Sequence, residues 1–171
     1  MTPDQASFLV QQYAQLMQGE FPATCKVLAA VKDDTRDYKP DAKSRTAWEL
    51  ATHLATSDIW FLDSLLAGKF AFDPEAAKKA EAQFTSVADV VGFYEKTFAE
   101  KLKAVQAMST DDLTRIVDFF GMMQQPAVTF LGFANNHSIH HRGQLAGYLR
   151  AMGSKVPAIY GGSADEPMRG A

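Results

Sequence analysis

Residues Asn136-His137-Ser138-Ile139-His140-His141-Arg142-Gly143-Gln144 hold three of the four histidines in this chain of 171 residues. His137 and His141 are four apart. On a helix two side chains at that spacing sit one turn apart on the same face, the arrangement by which two imidazoles grip one metal ion. Read as a helix, the run suggests a metal site on one side of it. The fourth histidine, His53, lies far upstream in a second amphipathic segment and can complete the set.

Four segments carry helical periodicity. The first runs from about Pro3 to Val31, with Pro3 at a first helical position. Phe8, Tyr13, Leu16, Met17, Phe21, Leu28 and Val31 supply its apolar side, and Gly19 and Pro22 are places where it can bend. The second opens on Thr46-Ala47-Trp48-Glu49, a capping box, and stops at Gly68. The third is opened by Ser86 and ends near Met108. The fourth runs from about Pro126 to Met152 and is closed by Gly153.

Between them, Asp73-Pro74-Glu75 can start a short helix, Thr110 to Leu113 reads as a turn, and Arg115 to Phe120 as briefly extended. The expected fold is all-α, a four-helix bundle in one domain over residues 1–171. Connections of a dozen or more residues can cross the bundle instead of forming tight hairpins. Residues 163–171 are expected to form a mobile tail.

At about 100° per residue, Phe130, Phe133, His137, His141, Gln144 and Tyr148 fall on one stripe of the fourth helix. Being mostly apolar, the stripe is expected to face the core, with His140 at its margin. Arg142 falls away from it, as an ion-pair or subunit-contact residue. In the second helix His53 shares a face with Glu49 and Trp60. Tyr148 and Trp60 read as core aromatics. Gly143, Gly147 and Ala151 suggest a close helix–helix contact, within the bundle or across a dimer.

A lone inward histidine is explained by hydrogen bonds. Three desolvated imidazoles without a partner are costly, and a divalent cation removes that cost. The expected ligands are His53, His137 and His141. Three protein ligands leave a coordination position open, as catalytic sites do. Imidazole suits zinc or nickel, and also iron or copper. Gln144 and Glu49 are the candidate catalytic residues: Gln144 to orient a ligand, Glu49 as a base or as an acceptor for a histidine N–H.

Composition excludes other classes. Lys and Arg number 17 against 20 Asp and Glu. With no basic stripe to meet phosphates, nucleic acid is not an expected partner. No run of about 18 apolar residues exists to span a membrane. The N-terminus lacks the pattern of a signal peptide, and Cys25, the single cysteine, forms no intramolecular disulfide. Together these point to the cytoplasm. Cys25, among Val27, Leu28 and Val31, reads as a small buried side chain.

The His137–Leu145 stretch, with Tyr148 to Gly153 and Val156 to Gly161 after it, resembles the C-terminal signature of the DinB/YfiT-like superfamily. Trp48 to Leu54 is similar to that family's first-histidine helix. The resemblance covers essentially the whole chain and keeps all three ligand positions. It implies up-down-down-up topology, a three-histidine metal site on His53, His137 and His141, and a homodimer. It also implies a small-molecule substrate and activity as a thiol-dependent S-transferase or isomerase, with a low-molecular-weight thiol as cofactor. Metal-dependent hydrolysis and a non-catalytic, metal-binding stress-response dimer are the competing readings.

Overall fold

In the computed structural model, residues 1–168 are described. Four long helices dominate: α1 (Pro3–Ala29), α2 (Ala47–Ala67), α4 (Val87–Gln106) and α6 (Thr129–Leu149). Two short ones, α3 (Pro74–Ala82) and α5 (Thr110–Thr114), lie in the connections. A two-stranded antiparallel hairpin precedes α6, with β1 (Ile116–Phe119) against β2 (Met123–Pro126) and Phe119 opposite Met123. The helix starts follow the local chemistry. Thr2, Thr46 and Ser86 each form a complete capping box with Gln5, Glu49 and Asp89, and Gly68 ends α2 in the left-handed conformation at φ 68°.

α1 and α2 each pack on both α4 and α6, so consecutive long helices α1 and α2 lie diagonally opposite. Side-chain pairs give the directions. Phe21 stacks on Tyr94 and Phe98 while Gln18 meets Gln106, so α1 and α4 are antiparallel. Asp58 meets Tyr94 and Asp63 meets Lys101, so α2 and α4 are parallel. Tyr13 lies against Gly132 and Glu20 against Arg142, so α1 and α6 are parallel. The result is up-down-down-up, with long connections crossing the diagonals. No described helix is long and apolar enough to cross a membrane.

Two faces differ from the sequence expectation. On α1 the buried stripe is Ala6, Val10, Ala14, Met17, Thr24, Val27 and Leu28, whereas Phe8 and Leu16 point outward. Ala6 and Ala14, two turns apart, let the neighbouring helices come close, and the largest side chains are a misleading guide to the inner face. On α6 the core side is Phe130, Leu131, Ala134, Ser138, Arg142, Leu145 and Leu149. Arg142 is therefore inside, and the histidine stripe lies at the edge of the core. This helix has almost no hydropathic asymmetry, so hydropathy alone cannot set its phase. The helix also starts later than expected, because Pro126 closes the hairpin.

Gly143 and Gly147 are exposed, with no atom of the described residues near a Cβ built on either. The tight approach is at Gly132 instead, where a Cβ would meet the Tyr13 ring at 2.9 Å. Gly132→Ala is expected to cost about 1–3 kcal/mol by overpacking, whereas Gly147→Ala should gain roughly 0.5–1 kcal/mol from backbone entropy. Urea unfolding of the two variants checks this contrast.

The tail is fastened in part. Asp165 accepts from Arg150 and from the Val156 N–H, and Glu166 accepts from the Ala158 N–H. The last three residues of the expected mobile tail, 169–171, lie outside the described residues.

Candidate metal centre

α2 contributes His53, and α6 contributes His137 and His141. One ring nitrogen from each lies within 4.8 Å of the others. Ring centroids are 5.4 Å apart for His53–His137, 4.8 Å for His53–His141 and 4.4 Å for His137–His141. Nitrogens around a tetrahedral ion with bonds of about 2.1 Å lie roughly 3.4 Å apart. A closure of on the order of 1 Å, within reach of side-chain rotation, would bring the set to bonding geometry. All three rings are half-buried, in the groove between α2 and α6 and not in the core. His140 is exposed beside His141 and outside the three-nitrogen group.

The surrounding donors and acceptors fit an ion. His141 Nδ1 is 2.8 Å from Gln144 Oε1. An amide oxygen only accepts, so Nδ1 carries the proton and Nε2 keeps its lone pair for a metal. His53 Nδ1 faces Glu81 Oε1 at 3.9 Å, beyond hydrogen-bond distance. His137 Nδ1 is buried and has no partner among the described residues. Such an orphaned nitrogen is costly unless a ligand completes the imidazole.

Electrostatics keep the rings neutral. Burial, then the Arg45 cation and the two neighbouring imidazoles, push His53 down to about 3. Burial, then His141 and His140, push His137 down to about 4. Burial lowers His141 too, against the Gln144 hydrogen bond, which raises it. Neutral imidazole is the form that binds metal.

This predicts a pH dependence. Histidines of the unfolded chain take up protons near pH 6.5, but the folded rings resist until far lower. The unfolded state then holds more protons, so stability falls as pH drops below 6.5. Asp58, raised to about 7 by burial, and Glu81, raised by burial, act in the opposite sense. Three imidazoles outnumber two carboxyls. Metal-free protein should therefore lose stability between pH 6.5 and 4, and His53→Gln should flatten that loss in urea titrations.

Glu49 stands elsewhere in function. Its Oε2 accepts the Thr46 N–H at 2.8 Å, which commits it to the helix cap. It still raises the pKa of Glu81, which places the two carboxylates within electrostatic reach. Glu81 was not visible from the sequence as a site residue. It sits on α3, a nine-residue helix with no buried residues of its own, and only the tertiary packing of α3 on α2 brings it to His53.

Trp60 lies two turns beyond His53, half-buried and held by its Nε1–H to the Ala71 carbonyl. Tyr148 packs edge-on against Tyr38. Cys25 is half-buried, and burial pushes its thiol up to about 11, which leaves it protonated and unreactive at neutral pH. A separate groove lined by Gln12, Leu16, Glu20 and Tyr160 shares no residue with the imidazoles.

The model of the DinB family matches residues 4–169. The uncharacterized protein YjoA of Bacillus subtilis (strain 168) is 27% identical over 140 residues, covering 80% of this chain and 86% of that protein. A DinB-like protein from Bacillus cereus ATCC 10987 superposes with a TM-score of 0.70 at 27% identity, over 88% of this chain and 97% of that one. A mycothiol-dependent maleylpyruvate isomerase shares the fold, with a TM-score of 0.61 at 14% identity, over 89% of this chain and 66% of its own.

Proposed function

The chain belongs to the DinB family, and on that premise we propose that His53, His137 and His141 hold one divalent cation with which the protein transfers a low-molecular-weight thiol. The observation that carries this reading is the convergence of three neutral imidazole nitrogens at a groove that is not sealed. A three-ligand set leaves room for a reactant, whereas structural sites are closed by four protein ligands. The mycothiol dependence of the similarly folded isomerase supports a thiol as that reactant.

When bound, the ion supplies Lewis acidity that lowers the pKa of a coordinated thiol. The rest is done by the chain. Gln144 fixes the tautomer and the ring plane of His141 through Nδ1. Glu81 Oε1 lies 3.9 Å from His53 Nδ1, and its raised pKa equips it to receive the thiol proton. Arg45 adds a positive field that favours thiolate over thiol.

The test is turnover of zinc- or nickel-loaded protein with a panel of thiols, including mycothiol, bacillithiol and coenzyme A, against an alkylating electrophile. Thiol-dependent turnover should vanish in His53→Ala and fall about 10²–10⁴-fold in Glu81→Gln if Glu81 carries the proton. No turnover above the His53→Ala background removes the transferase reading. The carboxyl of Glu81 favours one alternative, hydrolysis with Glu81 as base. Ester cleavage that needs no thiol and is lost in Glu81→Gln would select it.

A further inference from the structure

An aromatic surface runs from the imidazoles to solvent, and the proposed chemistry does not use it. Phe61, itself buried, packs beneath the join: its ring is 5.2 Å from that of His137 and 5.6 Å from that of Phe133. Phe133 is one turn before His137 on α6, and Trp60 is two turns after His53 on α2, so both lie along the ligand faces. Phe133 is 39% exposed, Phe120 46% and Phe72 61%. Trp60 stacks parallel to Phe120, with 6° between the planes, and edge-on to Phe72. Its indole cannot swing freely, because Nε1 is tied to the Ala71 carbonyl. Solvent-exposed aromatics joined in one patch are unusual for a surface with no ligand.

The hairpin turn carries part of this surface. Phe120, at the hairpin turn, has φ 55°, and among the described residues no other non-glycine residue has a positive φ. Positive φ is what a tight hairpin turn asks of its central residues, and at Phe120 the turn sets the ring beside Trp60. Gly121, at φ 70°, completes the turn. The opposite end of the α2–α6 groove is polar, with Glu49 and Gln144.

We propose that the substrate reaching this metal centre carries an aromatic or similarly flat apolar group, which lies on Trp60, Phe120 and Phe133 while its polar end reaches the imidazoles. The inference rests on the proposed metal site. At about 1.5 Å per residue, one to two helical turns separate the aromatic surface from the ligands. The body of such a substrate is therefore about 6–10 Å long.

Two hydroxamates test this by calorimetry on the zinc-loaded protein. Acetohydroxamate offers only a metal-binding head, and 4-phenylbutanohydroxamate adds a ring on a flexible spacer. The aromatic compound is expected to bind at least about 10-fold more tightly, and Phe133→Ala and Phe120→Ala should each remove most of that advantage. Neither variant should change acetohydroxamate binding. Both aromatics are substantially exposed, so neither truncation threatens the fold. Equal affinity of the two compounds overturns the aromatic site while leaving the metal intact. Failure of both to bind means that the loaded ion offers no open position, which overturns the thiol-transfer reading beneath it. If sedimentation shows a dimer that Phe120→Asp converts to monomer, a second copy of the chain covers this surface and the inference is wrong.

Discussion

Arg142→Ala is expected to be among the most destabilising single substitutions in this protein, at about 3 kcal/mol. The guanidinium is 1% exposed, with Nη2 2.6 Å from Glu20 Oε2 and 2.5 Å from the Tyr160 hydroxyl. Nη1 donates to the Glu20 carbonyl and to Thr24 Oγ1. Tyr160 in turn donates to Glu20 Oε2, so α1, α6 and the C-terminal segment meet at one charge pair. Removing one member of a buried pair costs about 3–5 kcal/mol, because the other is left uncompensated. Glu20 keeps 21% of its side chain in water, which places the effect at the lower end. For a chain of this size the melting temperature should fall by roughly 6–12 °C. Adding Glu20→Leu to an Arg142→Met background should recover part of the loss, since the orphaned charge is then gone. A change within about 0.5 kcal/mol, as at an ordinary surface position, would mean that the pair is not buried.

The second large effect depends on metal. A ligand present at 100 times its Kd stabilises the folded state by about 2.7 kcal/mol, and His137→Ala is expected to lose nearly all of that gain. In chelator the same variant should stay within about 1 kcal/mol of the parent, because the substitution also deletes a buried nitrogen with no partner. The difference between the two conditions is the informative quantity. His140→Ala serves as the control. His140 is exposed and outside the three-nitrogen group, so its variant should keep the full metal-dependent gain. Equal losses for His137→Ala and His140→Ala would mean that the ion binds to surface histidines.

Much of this was legible in the sequence, for local reasons. Thr46 and Glu49, three apart, announce the start of α2, and Gly68 its end, because capping and the left-handed conformation are decided within a few residues. The spacing of His137 and His141 is a property of any helix, and the structure adds His53 beside them from α2. What failed was the rotation of α6. A stripe holding Phe133 and the histidines points the helix the wrong way, and Arg142, at about 140° from His137, falls outside it. Burial instead follows Ser138, Arg142 and Leu145, since Glu20 and Tyr160 supply the pairing that lets a guanidinium enter the core. That pairing spans more than a hundred residues and leaves no local mark. The same holds for Glu81, which reaches His53 only through the placement of α3. Phe120 reads as extended in the sequence, but its left-handed turn depends on the pairing of β1 with β2.

The central claim is that His53, His137 and His141 together hold one ion. It is tested most directly by the metal content of protein purified without a polyhistidine tag, measured alongside thermal stability before and after chelator. One divalent ion per chain is expected, with a lower melting temperature once it is removed and recovery on adding zinc or nickel. Less than one ion per several chains after incubation with either metal, with a melting temperature indifferent to chelator, would contradict it.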